Sequence, residues 1–177
     1  MGKDEPSFIE PDRCNCTALR KASRRMSQFY DSTLAPSGLR STQFAMLAEL
    51  DRRADTPPTI RELSEALVMD QSTIGQNLRP LGRERLISLV QDETDRRSRR
   101  VKITKAGRSR LADARPLWSV AQQRFEDGFG KRAAAELRSV LVNIARDQSL
   151  AVEGDLSPSY WRARSVHPEI PCERRKS

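Results

Sequence analysis

The chain has one histidine, His167, among its 177 residues, and this scarcity excludes several kinds of site. A single histidine cannot supply the Ser/His or Cys/His pairs that activate nucleophiles, and it argues against a zinc or haem site. The sequence also lacks a phosphate-binding loop and the glycine pattern of dinucleotide-binding folds. We therefore expect a protein that is not an enzyme and that holds no metal or cofactor.

Long apolar runs are also missing, since none approaches the roughly 20 residues that a membrane-spanning helix needs. No early apolar stretch with a cleavage site marks the chain for export. The three cysteines are an odd number, and without a secretory signal they indicate reduced thiols rather than a disulfide scaffold. The expected location is the cytoplasm, with no membrane partner.

Positive charge, by contrast, is abundant. The formal net charge is +8 and the pI is near 10.0. Between Arg79 and Arg110 there are eleven Lys or Arg residues against four Asp or Glu, a net charge of about +7 for this segment alone. Such a concentration indicates a polyanionic partner. The alternative is an ordinary basic face exposed to water.

Helical periodicity organises the start of the chain. After residues 1–10, an apolar repeat at three- and four-residue steps predicts a helix over residues 12–34, with these positions on one face: Leu19, Ala22, Met26 and Phe29. A second helix is expected to begin at Ser41 as its N-cap and to break between residues 54 and 58.

The middle of the chain has the pattern of a helix-turn-helix. Thr59 and Glu62 have capping-box spacing, which predicts that a helix begins there. After a turn at residues 68–70, Ile74 and Leu78 share one face of a second helix. Its other positions carry hydroxyl, amide and guanidinium groups that suit base edges and phosphates in the major groove of duplex DNA: Ser72, Thr73, Gln76, Asn77 and Arg79.

A β-hairpin is expected next, with strands over residues 86–91 and 100–104. Val101 and Ile103 alternate with basic residues, so one face should pack inward while the other remains basic. The arginine-rich tip, residues 95–100, is then available for phosphates or the minor groove.

Two further helices are predicted, one over residues 105–129 with an interruption at Pro116 and one over residues 131–150. The second has an apolar face: Leu137, Val140, Leu141 and Ile144. Together with the first helix, these helices carry more apolar surface than a small winged domain can bury. Burial of the excess against a second copy of the chain predicts a homodimer.

These patterns divide the chain into five segments. We expect a flexible arm at residues 1–10 and a winged helix-turn-helix DNA-binding domain at residues 37–107. Dimerisation helices are expected at residues 11–36 and 108–150, and a disordered basic tail at residues 151–177. The fold class is mainly α with a small β-hairpin wing.

The order and spacing of these elements resemble the MarR family of bacterial winged helix-turn-helix transcription regulators over most of the chain. The resemblance is carried by Ser72-Thr73-Ile74, Leu81 with Leu86-Ile87, Asp95-Arg96-Arg97 and Ile103-Thr104-Lys105-Ala106-Gly107. Gly82 and Arg83 depart from the pattern, standing where the family often has an acidic residue. Pro80 departs too, and is expected to disturb the last turn of the recognition helix.

This resemblance implies a homodimeric repressor whose two recognition helices meet successive major grooves of a palindromic operator in double-stranded DNA. It also implies that Asp95 braces Arg97, which enters the minor groove, while Arg96, Arg99 and Arg100 contact phosphates. The alternative is that these arginines are exposed and have no partner.

A possible redox signal comes from Cys14 and Cys16. Cys16 falls where the organic-peroxide-sensing branch of the family has its reactive cysteine, and Tyr30 matches the tyrosine that contacts this thiol. Arg20 replaces a further tyrosine of that pattern. Positive potential at a helix N-terminus favours a thiolate. The alternative is that Cys16 is a small core residue and Cys14 has no role.

The competing release signal, again implied by the resemblance, is a small phenolic or aromatic effector between the first, second and fifth helices. The residues that would enclose its ring are Met26, Tyr30, Phe44 and Trp118, and Arg20 or Arg24 would meet its carboxylate. The alternative is that the apolar members are ordinary core.

A different class of function is also open, because winged-helix domains also occur as protein-protein docking modules without DNA binding. Such a module would not need polar residues on the outer face of the second helix beside a basic hairpin, as are found here at Gln76, Asn77 and Arg79. Salt separates the two functions, since phosphate contacts make affinity fall steeply as salt is added.

Overall fold

A computed structural model describes residues 14–92, 95 and 98–150 of the chain. These residues are mainly helical with a small β-hairpin, which confirms the predicted fold class. The elements are α1 (Asn15–Leu34), α2 (Ser41–Arg52), α3 (Ile60–Leu67), α4 (Gln71–Arg83), β1 (Ile87–Gln91), β2 (Arg99–Ile103), α5 (Lys105–Phe129) and α6 (Lys131–Arg146). The predicted arm and tail lie outside the described residues.

The chain divides after Ala134 into two compact units, which are described separately. In the first unit α1 and α2 pack against α5, while α3 packs against α4 and β2. Their shared core includes Leu34, Met46, Leu47, Leu50, Leu63, Ile74, Leu81, Val101 and Leu111, all essentially inaccessible to water. Each such side chain contributes about 1.5–3 kcal/mol through burial. This core fixes α4 and the hairpin on one scaffold.

The helix-turn-helix begins where its capping box predicted. The Thr59 hydroxyl accepts from the Glu62 backbone N–H at 3.1 Å, and the Glu62 carboxylate accepts from the Thr59 N–H at 2.7 Å. Helix α3 ends at Leu67, and its C-cap Val68 has a left-handed backbone with φ 51° and ψ 50°. A β-branched residue is strained in this conformation. The turn between the two helices therefore holds Val68 in a strained backbone conformation.

The predicted N-cap of α2 is wrong by one residue. Arg40 is the N-cap and Ser41 is the first helical residue. The Asp31 carboxylate on α1 accepts from the Ser41 backbone N–H at 2.7 Å and from its hydroxyl at 2.6 Å. A distant carboxylate thus performs the capping that local sequence assigned to the serine.

Two prolines, Pro80 and Pro116, lie inside helices and do not end them. Helix α5 runs unbroken through Pro116, which corrects the predicted interruption, and α4 continues through Pro80 to Arg83. A proline inside a helix removes one backbone hydrogen bond. On either side of Pro116, Ala114 and Ala121 are fully buried, so packing keeps the helix continuous.

The hairpin strands are antiparallel, with Leu89 opposite Val101. Val101 and Ile103 are buried, as their alternation predicted. β1 begins one residue later than expected, and β2 begins and ends one residue earlier. β2 ends because Thr104 is the N-cap of α5, where its hydroxyl accepts from the Gly107 N–H at 3.0 Å.

Helix α6 ends at Arg146, four residues before the predicted end, and a 3₁₀ turn follows at Gln148–Leu150. The Asp147 carboxylate accepts from the Ser149 backbone N–H at 2.9 Å, which stabilises the turn in place of further helix. Over residues 14–92, 95 and 98–150, no helix is apolar for the length needed to cross a membrane.

Candidate nucleic-acid interface

The first turn of α4 is organised by one carboxylate, that of Asp70. It accepts from the Ser72 hydroxyl at 2.5 Å, the Thr73 hydroxyl at 2.6 Å and the Thr73 backbone N–H at 2.7 Å. These hydrogen bonds, led by that from Ser72, hold the pKa of Asp70 well below its usual range. The predicted Ser72 and Thr73 are therefore fixed in rotamer, with hydroxyl oxygens that still have accepting capacity.

The outer face of α4 carries the polar residues expected from sequence. Ile74, Leu78 and Leu81 are buried, whereas Gln76 and Arg79 are exposed. Asn77 differs, because its side-chain amide is half-buried and donates to the Thr73 carbonyl at 2.9 Å. Gln76 and Arg79 are consequently better placed than Asn77 to reach a groove.

The hairpin tip is only partly described. Asp95 and Arg99 are exposed, and the Ser98 backbone N–H donates to the Asp95 carbonyl at 2.9 Å across the turn. Arg96 and Arg97 lie outside the described residues, so the bracing of Arg97 by Asp95 stays a prediction. Arg99 remains available for the phosphate contact predicted for it.

Arg100 has a different environment from the phosphate contact expected for it. Its Nη2 lies 2.8 Å from Oδ2 of Asp92, and its Nη1 donates to the Pro57 carbonyl at 2.8 Å. Asp92 is the one charged residue that is buried in the described part of the chain, at 5% exposure. We call Asp92, Arg100 and the Pro57 carbonyl the wing clasp. Nothing in the local sequence distinguishes Arg100 from its exposed neighbours.

The two described cysteines have distinct environments. Cys14 is the N-cap of α1 and is half-buried, whereas Cys16 is exposed. Hydrogen bonds from the Thr17 side chain and backbone lower the pKa of the Cys14 thiol. Sequence reasoning favoured Cys16 as the thiolate, but the stabilising contacts of the described structure act on Cys14.

Tyr30 cannot contact Cys16 within one chain. The two residues are fourteen positions apart on α1, which separates them by about 21 Å along the helix axis. The Tyr30 hydroxyl instead donates to the Gln122 side chain on α5. A contact between this tyrosine and either cysteine requires a second copy of the chain.

The predicted ligand pocket is not an open space around its ring-binding members. Phe44 and Trp118 stack directly, with centroids 6.0 Å apart and planes at 11°. This is the separation of a contacting pair and leaves no room for a third ring between them. Met26 is half-buried and Arg20 is exposed on the same helix.

A cleft of about 510 Å³ lies instead where α1 leads into α2. Its lining residues are Gln28, Asp31, Ala35, Gly38, Leu39 and Arg40, none of which was among the predicted pocket residues. The apolar Ala35 and Leu39 stand beside the exposed guanidinium of Arg40. The cleft is largely open to solvent, and its lining carries the Asp31 carboxylate as well as the Arg40 guanidinium, so it favours no particular ligand charge.

Sequence reasoning also missed the polar contacts that attach α5 to the rest of the first unit. The Asp51 carboxylate lies 3.4 Å from Arg108 and 2.9 Å from Arg115. Arg110 lies 3.2 Å from Glu84, just beyond α4, and donates to the Ser37 carbonyl at 3.3 Å. No local signal identifies partners so far apart in sequence.

Comparison with known proteins gives consistent results. A family model described as the MarR family matches residues 37–98. The HTH-type transcriptional repressor NicR of Pseudomonas putida is 32% identical over 128 residues, which cover 72% of this chain and 78% of NicR.

Two solved structures with the same fold contain DNA. The M. tuberculosis transcriptional regulator MosR in complex with DNA matches with a TM-score of 0.68 at 30% identity, covering 76% of this chain and 95% of MosR. The repressor CouR of Rhodococcus jostii RHA1, bound to a 23-mer duplex, matches with a TM-score of 0.69 at 26% identity, covering 80% of this chain and 99% of CouR.

Proposed function

This chain belongs to the MarR family of DNA-binding transcription regulators, and we propose that it is a homodimeric repressor of a palindromic operator, released by a small aromatic ligand or by cysteine oxidation. The observation that carries the proposal is the capped helix α4, whose apolar face is buried in the core and whose polar face is exposed beside a basic hairpin. The name of NicR supports the repressor assignment.

The DNA contacts that we propose come from two elements. In α4 the contacting residues are Ser72, Thr73, Gln76, Asn77 and Arg79, which would read the major groove. In the wing they are Arg96, Arg97 and Arg99, with Asp95 in support, which would contact phosphates and the minor groove. Removal of a base-reading residue should change sequence preference, whereas removal of a phosphate contact should weaken binding to all sequences.

The homodimer is supported by apolar side chains left exposed on α6. Leu137, Val140, Leu141 and Ile144 are between 36% and 55% exposed in the single chain. Exposed apolar clusters of this kind mark interfaces. Residues 11–36 and 108–150 would form that interface, leaving residues 37–107 as the DNA-binding domain. Sedimentation of the wild-type chain beside a Leu141→Glu variant measures this directly, and we expect only the variant to be monomeric.

Two release signals remain in competition. CouR is also known bound to p-coumaroyl-CoA, an aromatic acyl compound, which supports an aromatic effector here. The residues expected to hold it are Arg20, Met26, Phe44 and Trp118. Since Phe44 and Trp118 stack directly, the effector's ring would have to lie beside that pair or in the open cleft at Arg40. For oxidation, the lowered pKa of the Cys14 thiol supports Cys14 and Cys16 as a sensing pair, with Tyr30 of a second copy nearby.

Fluorescence anisotropy on duplex DNA tests the function and both signals. The DNA is the region upstream of the protein's own gene, together with a sequence selected from a random library. Redox release would be established if an organic hydroperoxide abolishes DNA binding, a thiol restores it, and binding by the Cys14→Ser variant is unaffected by the hydroperoxide. Binding lost only with aromatic acids would establish the ligand. Absence of DNA selection at any salt concentration would contradict the proposed function.

A further inference from the structure

The wing clasp joins two parts of the molecule that are remote in sequence. Besides the side-chain contacts of Arg100, the Val101 backbone N–H donates to the Pro58 carbonyl at 2.8 Å, and Thr59 pairs with Arg100 as an isolated antiparallel bridge. Thr59 is also the N-cap of α3. The strand β2 is therefore attached where the helix-turn-helix begins.

Charge extends this attachment to α3. The Glu62 carboxylate, which completes the capping box with Thr59, lies 3.9 Å from Nη1 of Arg100. The positive charge of Arg100 contributes to lowering the pKa of Glu62, after the larger effect of hydrogen bonds from Thr59. One guanidinium thus lies between the buried Asp92 and the first turn of α3.

The other end of the clasp holds the base of the hairpin tip. The Asp92 backbone N–H donates to the Ser98 carbonyl at 3.1 Å, so Asp92 is joined to the residue that precedes β2. A buried carboxylate is stable only with well-placed partners, and removal of one of them weakens the compensation of its charge. Loss of Arg100 should accordingly loosen the tip relative to α3.

We propose that Asp92 and Arg100 are positioning residues, which hold the wing at a fixed place relative to α3 and α4 and thereby set operator affinity without contacting DNA. The inference rests on the proposed DNA contacts of the wing. The competing role for Arg100 is a direct phosphate contact, in which Asp92 would only repel DNA.

The two roles give opposite expectations for Asp92→Asn. Removal of an acidic group near DNA should tighten binding if charge alone matters. If the pair positions the wing, Asp92→Asn and Arg100→Gln should each weaken operator binding by about tenfold. The double variant should then be no weaker than Arg100→Gln alone, because that change already breaks the contact with Asp92.

The test uses the full-length chain and a duplex that the wild type selects from a random library. Affinity is measured over a range of salt concentrations, and hydrogen exchange reports the Val101 amide. We expect faster exchange at Val101 and an unchanged salt slope in both variants. Arg99→Gln is the matched control, because this exposed neighbour should lower the salt slope by about one without changing the exchange.

Two results overturn the inference. One is an Asp92→Asn chain that binds the selected duplex as tightly as wild type or more tightly. The other is a reduced salt slope in Arg100→Gln together with normal exchange at Val101. If Arg100→Gln does not fold, Arg100→Lys keeps the charge but loses the paired geometry, and the same expectations apply. Failure of the wild type to select any duplex contradicts instead the proposed function.

Discussion

Gly107 tests the packing between the wing and α5 most directly, because a single added methyl group has no space there. A Cβ at this position would lie 2.1 Å from the Leu86 carbonyl oxygen and 2.8 Å from Cγ1 of Ile103. The obstructing oxygen belongs to the backbone and cannot rotate away. It also accepts hydrogen bonds from the Thr104 backbone N–H at 3.0 Å and from the Thr104 hydroxyl at 3.1 Å.

We expect Gly107→Ala to destabilise the fold by about 3 kcal/mol, combining overpacking with partial loss of those hydrogen bonds. For a chain of this size the melting temperature should fall by about 6–12 °C. Urea denaturation followed by circular dichroism measures the free energy of unfolding. The helix itself would favour alanine, so the sign of the effect depends on the clash alone.

Gly128 provides a matched control in the same helix. A Cβ there meets no atom within 4 Å, so Gly128→Ala should stabilise by about 0.5 kcal/mol through helix propensity. Opposite signs for the two substitutions would show that the clash with the Leu86 carbonyl, and not alanine itself, destabilises the Gly107→Ala chain. A Gly107→Ala chain as stable as wild type would refute this account of the junction.

Four further substitutions test α4 and the turn before it. Val68→Gly should stabilise by about 0.5–1 kcal/mol, because it relieves a left-handed backbone at a residue that is 68% exposed; a lower urea midpoint would contradict the strain. Because the pKa of Asp70 is lowered in the fold, its cap stabilises α4 fully above the ordinary pKa of aspartate, near 4, and this stabilisation is lost as the pH falls below that value. The difference in unfolding free energy between the wild type and Asp70→Asn should therefore shrink in acid. Gly75→Ala and Gly82→Ala should both stabilise the fold, since an added Cβ meets no atom within 4 Å at either position. Only Gly75→Ala should weaken operator binding, because Gly75 lies between Ser72 and Arg79 on α4. Equal operator affinities for the two variants would place the DNA elsewhere.

Local signals explain why the helix-turn-helix was predictable. Thr59 with Glu62 forms a complete capping box, and Asp70 caps α4, so both helix starts are determined by residues within one turn. The alternation of Val101 and Ile103 in the hairpin is likewise a local pattern. Such features can be identified without knowledge of the rest of the fold.

The errors arise where a distant residue determines the outcome. Asp31 supplies the cap that sequence reasoning assigned to Ser41, and buried packing keeps α5 continuous through Pro116. The contacts of Arg100 were likewise not foreseen, because one of its partners, the Pro57 carbonyl, lies 43 positions earlier. Side-chain identity in sequence thus indicated a basic wing, but only the fold distinguishes an exposed arginine such as Arg99 from one that is paired within the protein.

The contacts of α5 explain how such a fold would transmit a signal to α4. At its first turn Gly107 is packed against Leu86, and Arg110 connects it to Glu84 beyond the end of α4. Two turns later Arg115 meets Asp51 on α2. Because these contacts attach one rigid helix to both neighbours, a tilt of α5 cannot occur without moving the end of α4 or breaking the ion pairs. Under the proposed function, an effector or oxidant that favours a different tilt of α5 would lower operator affinity by its preference for that geometry.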